Sequence, residues 1–384
     1  MKRWWLLAAA VACAGACRDG GEAGAPAGPN IAIAAPPIAP PKPAPPKPAP
    51  PPKPAPPAPA TSWTFVALSD LHIPNNAEAA ATVKGLIAAV VEMKPRAVVI
   101  TGDFTNGAAS GGVNPRWWPA VLAALEPLRA AKIPVLPVAG NHDSYGFAQK
   151  KAYHDAWGDL KAWTPGLELK SDRATLGPDG KPELSVARVP FSYSVDIDGV
   201  HFALTHIVTQ HLEAPVAAWL KADLASARAA KARLVFGHVP LASVIRPPSK
   251  QFLRTFGPLL EEGLVDLSIY GHEHVVWDDN VQLRAMQLRQ VLVGCSSGFY
   301  NFGPSREAMA RAGCAPEKGK DATLRCRMPN TGGEFQLQLT KRKRMIQHYK
   351  NSFTLFSVDD GKITVTPMTI DAVGKPMPFY LARE

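Results

Sequence analysis

Five short clusters of polar residues constrain the fold of this chain most strongly, because each cluster comes at the end of an apolar run. The clusters are Asp70-Leu71-His72, Gly102-Asp103, Gly140-Asn141-His142-Asp143, Gly237-His238 and Gly271-His272-Glu273-His274. In an extended segment, residues i and i+2 project to the same side, so Asp70 can act with His72, and His272 with His274. We therefore expect carboxylate, imidazole and carboxamide groups to converge at the ends of successive strands.

The apolar runs that lead to these clusters alternate with segments of helical spacing. The runs are Trp63–Leu68, Ala97–Thr101, Pro134–Ala139, Arg233–Phe236 and Val265–Tyr270, and the helical segments are Glu78–Val91, Trp117–Ala131 and Ala217–Ala230. Such alternation predicts an α/β fold in which both faces of the sheet are covered. Open α/β sheets bind ligands at the carboxyl ends of their strands, which is where the polar clusters lie.

Strand-like segments dominate the rest of the chain. Phe191–Asp196 and Val200–Thr205 flank Asp198-Gly199, which is a hairpin signal. The later predicted strands are Val291–Cys295, Glu334–Leu339, Ser352–Val358 and Lys362–Met368. Because both halves contribute clusters to one site, we predict a single domain from residue 61 to residue 384.

The chemistry of the clusters predicts a site for two divalent metal ions. Mixed oxygen and imidazole donors suit Mn, Fe or Zn, whereas a cage of oxygen donors alone suits Mg or Ca. Paired ions can bind both the attacking and the leaving oxygen of a phosphoryl displacement, and they lower the pKa of a bound water. Taken singly, each residue has a structural alternative, since an isolated Asp before a turn is usually a cap.

The ordered patterns D-x-H, G-D, G-N-H-[DE], G-H and G-H-x-H resemble those of the calcineurin-like metallophosphoesterase superfamily, in its general bacterial branch. The resemblance extends from Asp70 to His274. It implies an α/β fold of two facing mixed β-sheets flanked by helices. It also implies metal-dependent hydrolysis of phosphate monoesters or diesters, in which a hydroxide that bridges the two metal ions attacks phosphorus.

The resemblance also assigns a role to each residue of the clusters. One metal ion would be held by Asp70, His72, Asp103 and His274. Asp103 would bridge to a second ion, which would be completed by Asn141, His238 and His272. His142 would face the substrate phosphate and donate a proton to the leaving oxygen, and Asp143 would orient His142.

The sequence leaves several alternatives open for the substrate and for the reaction. Purple acid phosphatases carry a Tyr three residues after the bridging Asp, where this chain has Asn106, so a purple chromophore is not expected. Candidate substrate contacts are Asn106, Tyr145 and His206. The alternatives are a metal-binding protein of the cell envelope without turnover, and a hydrolase of phospholipids or nucleotide-sugar pyrophosphates.

The first sixty residues predict export and a tether. Met1–Ala16 has a basic start and an apolar stretch, which is typical of a secretory signal and too short to span a membrane. The residues before Cys17 resemble a lipobox, so we expect lipidation of Cys17 and anchoring on the periplasmic or outer surface of the cell envelope. The alternatives are ordinary cleavage of the signal, which would release a soluble protein, and modification of Cys13 instead of Cys17.

Residues 17–60 form the lipidated N-terminus and the tether. The 25 positions Pro36–Ala60 hold 15 prolines. This composition favours polyproline II at about 3.1 Å per residue, so the stretch would span roughly 75 Å when extended. We interpret it as a spacer between the membrane and the domain, and binding of a proline-recognising domain is the alternative.

The net charge and the cysteines limit which partners the protein can have. The net charge is +10, but residues 61–384 carry 36 basic and 30 acidic side chains, a modest excess that favours anionic substrates. No nucleic-acid module is recognisable, and we expect membrane contact only through the N-terminal lipid.

Because an exported domain meets oxidising conditions, we predict a disulfide between Cys314 and Cys326. Cys295 ends an apolar run and is expected to be a buried thiol.

Overall fold

The computed structural model describes residues 62–73, 77–108, 112–171, 185–245, 250–283, 286–298, 303–339, 341, 345–347 and 351–378. All of them belong to one compact unit, Pro57–Glu384. The predicted signal, Cys17 and the proline-rich tether lie outside the described residues. Within the described part of the chain, no helix has the length and the apolar character needed to cross a membrane.

Helices and strands alternate in the first two thirds of the domain. The helices are α1 (Ala77–Met93), α2 (Trp117–Ala130), α3 (Asn141–Ser144), α4 (Phe147–Ala156), α5 (Leu160–Trp163), α6 (Ala214–Ser226), α7 (Lys250–Glu261) and α8 (Arg306–Arg311). The strands are β1 (Trp63–Leu68), β2 (Val98–Ile100), β3 (Val135–Pro137), β4 (Tyr193–Ile197), β5 (Val200–Leu204), β6 (Ala232–Phe236), β7 (Leu267–Tyr270), β8 (Val276–Leu283), β9 (Met286–Val293), β10 (Ala315–Glu317), β11 (Lys320–Arg327), β12 (Glu334–Leu339), β13 (Met345–Gln347), β14 (Ser352–Asp359), β15 (Lys362–Ile370) and β16 (Pro376–Pro378).

Two six-stranded mixed sheets form the framework of the domain. The first has the strand order β16-β15-β14-β1-β2-β3, in which β1 is parallel to β2 and antiparallel to β14. The second has the order β4-β5-β6-β7-β9-β8, in which the four central strands are parallel. The prediction of two mixed sheets with helices is confirmed.

The two sheets face each other across an aromatic core. Phe65 of β1 stacks on Phe356 of β14, with ring centroids 4.5 Å apart, within the first sheet. Phe65 also makes edge-to-face contacts with Phe202 of β5, at 5.0 Å, and with Phe236 of β6, at 6.2 Å, in the second sheet. Edge-to-face pairs contribute about 0.5–1.5 kcal/mol beyond the burial of their area. These residues hold the sheets at a fixed distance, so the loops at the strand ends meet at one edge.

Helix α2 buries one apolar face in the core. Trp118, Val121, Leu125 and Leu128 are buried and recur at intervals of three and four residues. This spacing places them on one side of a helix, which explains why the segment is helical and which side packs. Helix α6 begins at Ala214, three residues before its predicted start, because Pro215 is tolerated in the first turn.

The hairpin β8–β9 was missed by the sequence prediction, which placed a strand only at Val291–Cys295. Strand β8 carries Asp278 and Asp279, which disfavour strands in general. In the folded chain Arg289 pairs with Asp278 at 2.6 Å, and Arg311 pairs with Asp279 at 2.6 Å. The first pair forms only when the hairpin closes, and the second joins residues 32 positions apart, so the residues next to the two aspartates did not indicate the strand.

A third sheet of four strands, in the order β10-β11-β12-β13, packs on the outer strand β8. Trp277 of β8 meets Phe335 of β12 edge-to-face at 5.7 Å, and Asn330 donates a hydrogen bond to Asp278. A disulfide joins Cys314 to Cys326 in this region. Cys295 is a free thiol and is fully buried.

Candidate metal centre

Every predicted ligand lies just beyond the carboxyl end of a strand. Asp70 and His72 follow β1, Asp103 follows β2, and Asn141 follows β3 at the start of α3. His238 follows β6, and His272 and His274 follow β7. Because the central strands of both sheets end at the same edge, these side chains converge on one site.

Five of these ligands have a left-handed backbone, which L-residues adopt rarely. The φ angles are 56° for Asp70, 46° for His72, 54° for Asp103, 69° for His272 and 55° for His274. Such conformations cost of order 1–3 kcal/mol each and persist where surrounding contacts hold them. The paired ligands therefore meet through left-handed turns and not, as the i, i+2 argument supposed, through extended segments.

Two glycines of the clusters allow the turns to approach closely. A Cβ atom on Gly102, which has φ +99°, would lie 2.6 Å from Nδ1 of His238. A Cβ atom on Gly140 would lie 2.1 Å from Oδ1 of Asp103. Any side chain at these positions would push ligand-bearing segments apart, which explains why the clusters carry Gly there.

The first set of ligands, which we call the Asp70 group, consists of Asp70, His72 and His274. Oδ1 of Asp70 lies 3.0 Å from Nε2 of His274 and 3.8 Å from Nε2 of His72. The two Nε2 atoms are 3.4 Å apart. Oδ2 of Asp70 accepts hydrogen bonds from the Ser69 hydroxyl and from the backbone N–H of His272. One carboxylate oxygen and two imidazole nitrogens are thus directed at a common point.

The second set, which we call the Asn141 group, consists of Asn141, His238 and His272. Oδ1 of Asn141 lies 2.9 Å from Nε2 of His238 and 3.0 Å from Nδ1 of His272. Nδ1 of His238 donates a hydrogen bond to the carbonyl oxygen of Thr101 at 2.7 Å. A hydrogen bond from one ring nitrogen of a metal-binding His fixes the tautomer of the ring. With the proton on Nδ1, Nε2 of His238 is the nitrogen that can bind a metal ion.

Asp103 lies between the two groups. Its Oδ2 atom is 3.2 Å from Nε2 of His238 and 3.9 Å from Nε2 of His72. Three overlapping sets could each hold an ion: Asp70 with His72 and His274, Asp103 with His72 and His142, and Asp103 with His238 and His272. Asp103 belongs to two of these sets, which is the position of a bridging ligand.

The buried carboxylates of Asp70 and Asp103 favour positive charge in the site. Burial opposes ionisation of Asp70, but the neighbouring imidazoles lower its pKa to about 2. Burial likewise disfavours a charged His238, yet the Asp103 carboxylate raises the pKa of His238 to about 9. The two buried carboxylates thus favour positive charge beside them, and a divalent cation that displaces the proton of His238 supplies that charge. The donor set therefore fits two metal ions of the kind that bind oxygen and imidazole.

His142 and Asp143 lie beside the ligands and have different surroundings. His142 is partly exposed, and its Nε2 atom is 3.9 Å from Oδ2 of Asp103. Nδ1 of His142 donates to the carbonyl oxygen of Gly107. Asp143 is buried and accepts hydrogen bonds from the backbone N–H groups of Phe104, Thr105 and Gly140. Asp143 thus joins two ligand loops, and the partner of the His142 ring is Gly107.

The three candidate substrate contacts are placed differently. Tyr145 is 43 % exposed, and its hydroxyl oxygen accepts a hydrogen bond from Nδ2 of Asn141 at 2.5 Å. Asn106 is half-buried and follows Thr105, which is bonded to Asp143. His206 is buried against Phe191, and burial lowers its pKa to about 3. His206 is therefore a neutral core residue, and it does not line the cavity beside the metal centre.

A cavity of about 320 Å³ opens beside the Asn141 group. It is lined by Asn141, Tyr145, Val208, Thr209, Gln210, Val239, Pro240, His272 and Glu273. Sequence reasoning missed the wall formed by residues 208–210. The only local signal for that wall was its position just after the predicted strand Val200–Thr205.

Comparison with known proteins identifies a family and a fold. The family model described as calcineurin-like phosphoesterase matches residues 64–276, a range that contains all five clusters. A search of curated proteins found no match to this chain. Several solved structures share the fold at low sequence identity.

GAP50 of Plasmodium, described as the anchor in the inner membrane complex, has a TM-score of 0.50 and 14% identity, over 84% of this chain and 90% of its own. A dimetal phosphatase from Danio rerio has a TM-score of 0.44 and 11% identity, over 79% of this chain and 98% of its own. A purple acid phosphatase from yellow lupin (Lupinus luteus) has a TM-score of 0.44 and 14% identity, over 85% of this chain and 58% of its own.

Proposed function

Because this chain belongs to the calcineurin-like phosphoesterase family and is a metal-dependent phosphoesterase, we propose that it hydrolyses phosphate monoesters or diesters at a dinuclear centre. The observation that supports this most directly is the position of Asp103. Its carboxylate lies between the Asp70 group and the Asn141 group, within 3.9 Å of imidazoles on both sides.

Each ion would have its own set of ligands in this proposal. The Asp70 group and Asp103 would hold one ion, and the Asn141 group and Asp103 would hold the other. When bound, two Mn, Fe or Zn ions would activate the attacking water and neutralise the phosphate oxygens. Ser69, Thr101 and the His272 backbone hold the ligand side chains in place from outside the centre.

His142 is the proton donor to the leaving oxygen in this proposal. It borders the centre, and its backbone N–H donates to Oδ1 of Asp103 at 2.8 Å, so its position is tied to the bridging ligand. Because Nδ1–H is directed at Gly107, Nε2 is the atom that faces the substrate. Nε2 can deliver a proton only when the ring is an imidazolium, so proton transfer leaves a neutral ring with the proton on Nδ1.

An activity screen of the metal-loaded domain tests the proposal. The panel should contain aryl and sugar monoesters, cyclic and linear diesters, pyrophosphates and phospholipids. Turnover of a monoester or a diester, abolished by a chelator and restored by Mn, Fe or Zn, supports the proposal. Preferred turnover of pyrophosphates or phospholipids would favour that alternative class instead.

A metal-binding protein without turnover is the second candidate. The observation in its favour is that the Plasmodium protein of this fold is described as an anchor. Against it, this chain has a residue suited to each metal position and retains His142. Binding of two ions without turnover of any member of the panel would favour this candidate.

We also propose that the protein is exported and held in the cell envelope by a lipid on Cys17. The basic and apolar start of the chain, the small residues before Cys17 and the proline-rich spacer support this placement. The phosphoesterase domain would then work at the end of a tether, on substrates outside the cytoplasm.

A further inference from the structure

The carboxamide of Asn141 must present its oxygen to the centre. An Asn side chain carries an acceptor oxygen and a donor nitrogen at similar positions, and only the oxygen can bind a cation. Here Oδ1 is directed at His238 and His272, at 2.9 and 3.0 Å. The group that holds Nδ2 on the opposite side therefore influences how well Asn141 serves as a ligand.

That group is the hydroxyl of Tyr145. Nδ2 of Asn141 donates to Oη of Tyr145 at 2.5 Å. Tyr145 ends the short helix α3 with φ −55° and ψ −42°, so it lies one helical turn after Asn141. Residues four apart on a helical turn are neighbours, which makes this contact a product of the local backbone.

The ring of Tyr145 also faces the catalytic side of the site. It meets the ring of His142 edge-to-face, with centroids 5.3 Å apart. Tyr145 further lines the 320 Å³ cavity together with His272 and Val239. One side chain thus contacts a candidate metal ligand, the proposed proton donor and the space beside them.

We propose that Tyr145 is a positioning residue that holds Asn141 in register with the second metal position and forms a wall of the substrate cavity. The inference rests on the proposed function, since it assigns the cavity to the organic part of the phosphoester. The volume is at the low end for small-molecule sites, which fits one small organic group better than a macromolecular chain.

The hydroxyl and the ring can be separated by mutation. Tyr145→Phe keeps the ring and removes the partner of Asn141, whereas Tyr145→Leu removes both. Loss of an outer partner of a metal ligand typically lowers metal affinity about 10–100-fold. We expect Tyr145→Phe to weaken one of two Mn²⁺ binding events by about that factor in calorimetric titration, and to leave the other unchanged.

The kinetic constants give the second readout. At saturating Mn²⁺, Tyr145→Phe should keep the KM for a small aryl phosphate, and Tyr145→Leu should raise it. Phe147→Leu is the matched control, because Phe147 is 56 % exposed and does not line the cavity. It should bind both ions and the substrate as the wild type does. Thermal melts should establish that all three variants are folded.

Equal Mn²⁺ affinities in Tyr145→Phe and the wild type would overturn the positioning role. An unchanged KM in Tyr145→Leu would overturn the assignment of the cavity. If wild type binds two ions and hydrolyses no phosphoester, the proposed function fails, whereas the weakened ion in Tyr145→Phe would still support the positioning role.

Discussion

The two ligand groups differ in the conformation of their backbones and in their position relative to the 320 Å³ cavity. Each group has two buried members and one half-buried member, but all three members of the Asp70 group have left-handed φ angles. The Asn141 group borders an open cavity and the exposed Tyr145, and only His272 among its members is left-handed. We therefore expect one ion to be held in the strained frame and the other to lie beside the cavity that we assign to the substrate.

The two groups also differ in what supports them from outside. Ser69 and the His272 backbone bind Asp70, and Cys295 and Ser297 contact the carbonyl oxygen of Asp70. The Asn141 group depends on Thr101 behind His238 and on Tyr145 beside Asn141. Core packing therefore supports the first group, whereas a surface side chain contributes to the second.

Removal of the bridging carboxylate should have the largest effect, because both groups depend on it. We expect Asp103→Asn to lose most of both bound metal ions and nearly all activity. Metal analysis by mass spectrometry and kcat/KM for the preferred substrate are the measurements. Retention of one ion at full affinity would show that Asp103 serves only one group.

Substitution of His142 should separate metal binding from turnover. His142→Ala should keep both ions, since the Asp70 and Asn141 groups are intact, and should lower kcat by about 10²–10⁴, the usual range for loss of general acid catalysis. If the variant loses its metal ions instead, His142 is a ligand and our division of roles is wrong.

The rate at which a chelator removes each metal ion should differ between the two groups. We expect a chelator such as EDTA to remove the two ions in two phases, with the faster phase from the Asn141 group because the cavity gives access to it. Asn141→Ala should eliminate the fast phase. Stopped-flow release of Zn²⁺ measures both phases, and a single phase in the wild type would contradict the difference in access.

A pH effect on stability should arise far from either group. His201 is buried between Asp223 and Asp196, at 2.8 and 2.7 Å. Burial lowers the pKa of His201, but the hydrogen bonds and charges of Asp223 and Asp196 outweigh it and raise the pKa above 6.5. The stabilisation is complete below about pH 6.5, the unfolded value, and is lost as the pH rises through the raised pKa.

The His201→Gln variant should remove this pH dependence. We expect it to lower the free energy of unfolding by about 1–3 kcal/mol at acidic pH, the range for loss of a hydrogen-bonded charged group. Urea unfolding at several pH values is the measurement. Equal slopes of stability against pH in the variant and the wild type would assign the effect to other groups, including those of the metal centre.

Deletion of the N-terminal segment should have the smallest effect on metal binding by the two groups. Membrane fractionation should depend on Cys17, and deletion of residues 18–60 should leave folding, metal content and kcat unchanged, since the segment has no apolar periodicity. Cell fractionation of the wild type and Cys17→Ala gives the test. A wild type that is soluble, with its N-terminus downstream of Cys17, would exclude lipidation.

Much of the fold followed from local patterns. Strand β1 has the predicted bounds Trp63–Leu68, and β12 has the predicted bounds Glu334–Leu339. Apolar runs of this length form strands wherever a partner strand is available, so their position is a local property. The missed elements are those whose stability depends on distant partners. Strand β8, whose Asp279 binds Arg311 at a separation of 32 residues, is the example.

His206 illustrates the limit of strand-end reasoning. It follows β5 just as His238 follows β6, so both were expected at the rim of the site. The backbone N–H of His206 binds the Ser192 hydroxyl, and its ring packs on Phe191, which directs it into the core. Both histidines follow a strand, as predicted. The direction of each imidazole ring, however, depends on the residues that pack around it.

The sequence by itself determined the order of the clusters, the strands that carry them and the types of donor, because each depends on residues a few positions apart. The tertiary structure alone decided how far apart the donors of each group lie and which residues support them from outside. Thr101 lies 137 residues from His238, and Asp70 lies 202 residues from His272. Contacts across such separations exist only once two sheets have packed face to face, so no local pattern encodes them.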